Sequence, residues 1–147
     1  MGVPYRLFYR LGFHPWEDLA EHPPFADTLA ELFECEEEGR EPPYGGALDL
    51  GCGSAVWGIK LAERGWQVTG TDLVEKALER AHMRVREAGV DMRLVQGDVT
   101  HLRGTDVGSG FRLVLDTRTF HGLNARKAVQ VRRALLPATA EVSRYKA

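Results

Sequence analysis

Cysteine is scarce in this sequence, and so is any stretch that a membrane could hold. Cys35 and Cys52 are too few for a disulfide framework, and neither stands at metal-ligand spacing from a histidine or a second cysteine. No apolar run approaches the ~20 residues that a membrane span needs. Residues 1–13 mix arginines with aromatics, without the uninterrupted apolar core and small-residue cleavage site of a signal peptide. Arg6 stands where a myristoylation signal on Gly2 would want Ser or Thr. A basic excess is missing too: the net charge is −2, and the pair Arg132 and Arg133 is too little for a nucleic-acid stripe. These absences predict a cytoplasmic protein with neither a nucleic-acid nor a membrane partner.

What is present is a single domain's worth of chain, 147 residues, with two regions of different character. Residues 1–46 are aromatic and acidic, and hold ten acids against three bases. Tyr5, Phe8, Tyr9 and Gly12 suggest a short helix that ends near Gly12. Phe25, Leu29, Leu32 and Phe33 recur at helical spacing, and Gly39 supplies a stop. The run Glu34, Glu36, Glu37 and Glu38 reads as the solvated end of that helix. Residues 41–46, rich in proline and glycine, read as a linker.

From residue 47 the periodicity alternates. Short strands are predicted at 47–50, 66–71, 92–96 and 111–116. Helices are predicted at 54–64 and along the face Val74, Ala77, Leu78, Ala81, Val85 and Ala88, which Gly89 closes. Asn124 could cap a last helix that carries Ala128, Val129, Leu135 and Leu136 and stops at Pro137. Strands alternating with helices imply an α/β fold: an open, mostly parallel twisted sheet with helices on both faces. Trp57 and Trp66 read as packing between helix and sheet.

The first three strands each end beside glycine and an acid: Asp49 before Gly51, Cys52 and Gly53; Gly70 before Asp72; Gly97 before Asp98. In an open parallel sheet, ligands bind beyond the carboxyl ends of the strands, so these residues should meet in one crevice. Glycine lets the backbone approach a ligand closely. Asp72 follows Gly51 by 21 residues, the distance at which a carboxylate after the second strand can take both hydroxyls of a ribose.

These residues resemble the Rossmann-like class I methyltransferases. Asp49-Leu50-Gly51-Cys52-Gly53-Ser54-Ala55 is similar to their first motif, with Ala55 where a third glycine is usual. Tyr5, Tyr9, Pro15 and Trp16, together with the segments 68–72, 97–100 and 115–122, look like the group that contains the thiopurine and tellurite-resistance methyltransferases. The resemblance implies S-adenosylmethionine as cofactor, S-adenosylhomocysteine as product, and direct methyl transfer to a small-molecule substrate. It places Asp49 near the methionine amino group, Gly51 to Gly53 under the methionine and ribose, and Asp72 on the ribose hydroxyls. Leu73 would pack on the adenine, Asp98 accept from its amino group, and the Val99 N–H reach its N1. Asp116 would face the methionine end, while Tyr9 and Trp16 close over the cofactor as a lid. On this division residues 1–46 are the lid, 47–136 the cofactor-binding core and 137–147 a tail.

Several residues carry a second reading. The three aspartates could be caps at strand ends, and Tyr9 and Trp16 core aromatics. His121 could be a general base or a surface histidine, with Asp116 the other weak catalytic candidate. Cys52 reads as a small turn residue sooner than a nucleophile. A dinucleotide fingerprint would need glycine where Val56 stands. The seven strands of the resembled fold outrun this sequence, so the expectation is a core lacking the last strands. That opens an alternative, a cofactor-binding fragment or pseudoenzyme completed by a partner. It also predicts a homodimer through the uncovered sheet edge or the last helix.

Overall fold

The computed structural model describes residue 11 and residues 23–116. Tyr9, Trp16, His121, the short helix near Gly12, the helix expected from Asn124 and the tail all lie outside the described residues. Among the described residues the order is α1 (Pro23–Glu37), β1 (Gly45–Leu50), α2 (Val56–Arg64), β2 (Trp66–Asp72), α3 (Glu75–Ala88), β3 (Met92–Gln96), a 3-10 segment (Val99–Gly104) and β4 (Leu113–Asp116). The four strands form one parallel sheet in the order β3-β2-β1-β4. All their carboxyl ends therefore share one edge.

Alternation along the strands divides the core in two. Ala47, Trp66, Val68, Met92, Leu113 and Leu115 face one side, where Leu29 and Phe33 of α1, Trp57 and Leu61 of α2 and Ala81 of α3 cover them. Leu48 and Leu50 face the other, against Val99, Leu102, Val107 and Phe111. Among the described residues the three α-helices thus lie on one face. The 3-10 segment and the loop after it cover the opposite one. Among the described residues β4 pairs with β1 alone, and the last helix, on which the expected homodimer also turns, lies outside them.

Three local expectations are corrected. Residues 45–46 are not linker but the start of β1, in register with Trp66 and Gln67, and the Arg112 N–H donates to the Gly46 carbonyl at 2.8 Å. The helix predicted from Ser54 begins at Val56, because Ala55 sits in the left-handed region at φ 67°. This is the backbone shape that the missing third glycine of the motif would adopt freely, and Ala55 adopts it at some steric cost.

The third correction concerns the glutamate run, whose last helical member is not solvated. Glu37, with its side chain 11% exposed, accepts from Arg64 Nε at 2.8 Å and Nη2 at 2.6 Å, and from Trp66 Nε1 at 3.0 Å. Arg40 lies over the rings of Tyr44 and Trp66. This cluster ties α1 to the amino-terminal end of β2, away from the crevice. Burial pulls the Glu37 carboxyl upward, but the hydrogen bonds from Arg64 and Trp66 and the charges of Arg64 and Arg40 leave it below the ordinary glutamate value. A depressed carboxylate stabilises the fold above its unfolded pKa, and that contribution is lost as pH falls through the folded value. Glu37→Ala should cost about 2 kcal/mol at neutral pH, because it strands the Arg64 guanidinium and the Trp66 N–H. Urea unfolding at pH 7 checks this, and the gap between wild type and variant should narrow in acid.

Candidate functional site

The turn after β1 shapes the crevice. Gly51 and Gly53 have φ of 61° and 57°, a left-handed conformation that costs glycine little. The Cys52 N–H donates to the Thr71 carbonyl at 3.0 Å, which lays the turn across the end of β2. Gly70 permits the close approach: a Cβ there would lie 2.9 Å from Cys52 Sγ and 2.7 Å from Met92 Cε. Cys52 is a partly buried turn residue whose thiol is pushed well above its ordinary value by burial and by Asp49 and Asp72. That protonated state suits packing and does not suit a nucleophile.

Asp72 closes the loop from the other side. Its Oδ2 accepts from the Gly53 N–H and its Oδ1 from the Val74 N–H, each at 2.9 Å. One carboxylate thus fixes both the glycine turn and the entry to α3. Burial raises its pKa, against the lowering effect of the Val74, Gly53 and Leu73 N–H groups. Leu73, next along, is 47% exposed, an apolar surface at the lip of the crevice. Gln96 Nε2 donates to the Leu73 carbonyl at 3.3 Å and links the ends of β2 and β3.

Asp49, at the end of β1, is 2% exposed. Burial, then the charges of Asp72 and Asp116, push its carboxyl up to about 8, although the Gly58 N–H in the first turn of α2 works against the shift. Space at Gly58 is tight: a Cβ would stand 3.0 Å from Asp49 Oδ2 and would have to displace the end of the Met92 side chain, 2.4 Å away. Asp116 lies on the neighbouring strand one residue further along, paired with Leu50, so it acts on Asp49 through its charge from the other face of the sheet.

Asp98 is a cap as well as a site candidate. Its Oδ1 accepts from the Thr100 N–H at 2.8 Å and the Thr100 hydroxyl at 2.6 Å, and its Oδ2 lies 3.6 Å from His101 Nδ1. Burial opposes ionisation, but the Thr100 bonds and His101 leave its pKa below the ordinary aspartate value. Val99 begins the 3-10 segment with its side chain buried against Leu48 and Leu50.

The structure therefore brings Asp49, Gly51, Cys52, Gly53, Asp72, Leu73, Asp98, Val99 and Asp116 to one edge of the sheet. Thr100, Gln96, Met92 and Gly58 are supporting residues that sequence reasoning missed. Only Thr100 left a sequence signal, the Asp-x-Thr spacing of a side-chain turn. Ser54 Oγ and Thr71 Oγ1 are buried with no hydrogen-bond partner among the described residues.

Comparisons with known proteins agree with this geometry. A family model described as a methyltransferase domain matches residues 47–138. A 2-heptyl-1-hydroxyquinolin-4(1H)-one methyltransferase of Mycobacteroides abscessus is 27% identical over 132 residues, 88% of this chain and 56% of that protein. An S-adenosylmethionine-dependent methyltransferase of Clostridium acetobutylicum superposes with a TM-score of 0.62 at 20% identity, covering 78% of this chain and 45% of the other. A TehB-like methyltransferase of Corynebacterium glutamicum gives 0.57 at 21% identity, over 80% of this chain and 68% of the other. At those two identities the likeness is one of fold. The chain spans about half the length of the first of these relatives. With well over half of its residues inside the matched family model, the chain belongs to the methyltransferase domain family.

Proposed function

We propose that this chain carries the cofactor site of an S-adenosylmethionine-dependent methyltransferase that passes a methyl group directly to a small-molecule acceptor. The observation that carries the reading is the set of carboxylates from β1, β2 and β4 around a glycine turn. Asp49 in particular is buried where only a cationic partner makes its ionised form favourable. The donor set fits the cofactor: Asp49 for the amino group, Asp72 for the ribose, and the exposed face of Leu73 for the adenine. Asp98 and the Val99 N–H would take the adenine edge. Asp116 stands at the methionine end, where the acceptor enters.

The cofactor supplies a methyl group already activated on sulfur. The residues of this chain then have to bind, orient and exclude water. Asp72, held rigid by two backbone N–H groups, fixes the ribose without having to reorganise. Gly51 and Gly53 let the turn pass beneath the methionine arm without a Cβ in the way. A hydroxyl or amine acceptor must also shed a proton, and Asp116 and His121 are the candidates for that task. Tyr9 and Trp16 are proposed as the lid.

An acceptor related to a hydroxyquinolone is favoured by the Mycobacteroides abscessus relative, whose name carries such a substrate. Membership of the group that contains the thiopurine and tellurite-resistance methyltransferases rests on the resemblance of Tyr5, Tyr9, Pro15, Trp16 and the segments 68–72, 97–100 and 115–122. The test is transfer of a labelled methyl group to a panel of heteroaromatic hydroxyl, phenol, amine, thiol and tellurite acceptors. Transfer to at least one organic acceptor supports the reading. Cofactor binding without turnover on any of them would overturn the small-molecule assignment.

A further inference from the structure

We infer that the buried Asp49 keeps a proton before a ligand arrives, and that a ligand's ammonium group displaces it. Binding at this site is then proton-coupled. The inference rests on the reading of the crevice as a cofactor site. Its geometry is that of a buried acid with an acid on each neighbouring strand, Asp72 on the same face of the sheet and Asp116 on the other. β1 lies between β2 and β4, strands of a sheet are roughly 4.8 Å apart, and the acids stand at or within one residue of the last register pairs. Asp49 is the innermost, almost without exposure.

A carboxyl so deeply buried between two other carboxylates resists ionising. The groups acting on Asp49 are consistent with this. From β2 comes Asp72, from β4 Asp116, and from α2 the Gly58 N–H. The turn adds Cys52, a thiol that stays protonated. Among the described residues, the cations of α2 and β3 are engaged elsewhere: Lys60 over the Trp57 ring, Arg64 on Glu37, and Arg93 on Asp106. Burial and the two carboxylates hold Asp49 up to about 8, so its proton is present at neutral pH.

An arriving ammonium would bring the missing positive charge and allow Asp49 to ionise. The proton leaves to buffer: a carboxyl and an ammonium become a carboxylate–ammonium pair plus one proton in solution. Affinity should therefore rise with pH, by up to tenfold per pH unit, from about pH 6 towards 7.5. It should level off near pH 8, where a free α-amino group itself starts to lose its proton.

Isothermal titration calorimetry of the full chain with S-adenosylhomocysteine tests this. At pH 6.5 it is run in phosphate and in a buffer of high ionisation enthalpy. The expected result is release of close to one proton per ligand by wild type, and of almost none by Asp49→Asn. Binding of normal stoichiometry with no proton released, and an affinity flat between pH 6 and 7.5, overturns the inference and leaves the cofactor reading standing. Release that persists unchanged in a folded Asp49→Asn also overturns it, since the proton then comes from elsewhere. No binding by wild type at any pH removes both.

Discussion

Asp72→Ala is expected to lower affinity for S-adenosylmethionine by at least ten- to a hundred-fold. Loss of a charged acceptor from two ribose hydroxyls costs about 1.5–3 kcal/mol. The structure adds a second contribution, because the same carboxylate accepts from the Gly53 and Val74 N–H groups. Without it the glycine turn loses its anchor to β2, and the binding surface has to be reordered at each encounter. Asp72→Asn can still accept through one oxygen and should fall between wild type and the alanine variant. Calorimetry on all three proteins checks the order, with circular dichroism to show that each is folded. Equal affinities would contradict the assignment of Asp72.

Asp49→Asn should do something less expected: stabilise the ligand-free protein at neutral pH. An aspartate in the unfolded chain is ionised at pH 7, whereas Asp49 in the fold, with its carboxyl up at about 8, has to be protonated. The folded value lies above the unfolded one. The group's contribution is therefore most favourable below the unfolded pKa and erodes as pH rises towards 8. At pH 7 the cost is roughly 1–4 kcal/mol, since each tenfold change in a protonation equilibrium is worth about 1.4 kcal/mol. Asparagine is neutral, nearly isosteric and keeps an oxygen for the Gly58 N–H. Urea unfolding should show Asp49→Asn more stable than wild type at pH 7 and equal to it near pH 4. A variant no more stable at pH 7 than at pH 4, relative to wild type, would contradict the argument. The same substitution should weaken binding of the ammonium-bearing ligand, so the site keeps its ionisable carboxyl at the expense of the fold.

Much of this architecture could be read from the sequence. Alternating apolar runs gave the order of the strands and helices, and β3 matched the expected span of 92–96. The acids that follow the strands were legible because a parallel sheet leaves little choice of where its carboxyl ends lie. What escaped is tertiary. Glu37 looked like one of four equivalent surface glutamates until the fold placed Arg64 and Trp66 beside it. Gly45 and Gly46 looked like linker, since local composition does not report that a neighbouring strand will accept them. Asp98 shows how a cap and a binding residue coincide: the Thr100 bonds that make it a turn residue also hold its carboxylate ionised. Ala55 carries the left-handed backbone of the motif without the glycine that usually supplies it.

A crystal structure of the full chain soaked with S-adenosylhomocysteine tests the central claim most directly. The account predicts the ligand across the carboxyl edge of the sheet. Its amino group should lie at Asp49, its ribose hydroxyls on Asp72, and its adenine against Leu73 with its edge at Asp98 and the Val99 N–H. Density for the ligand elsewhere, or an orientation with the adenine at Asp116 and the amino group at Asp98, would contradict it.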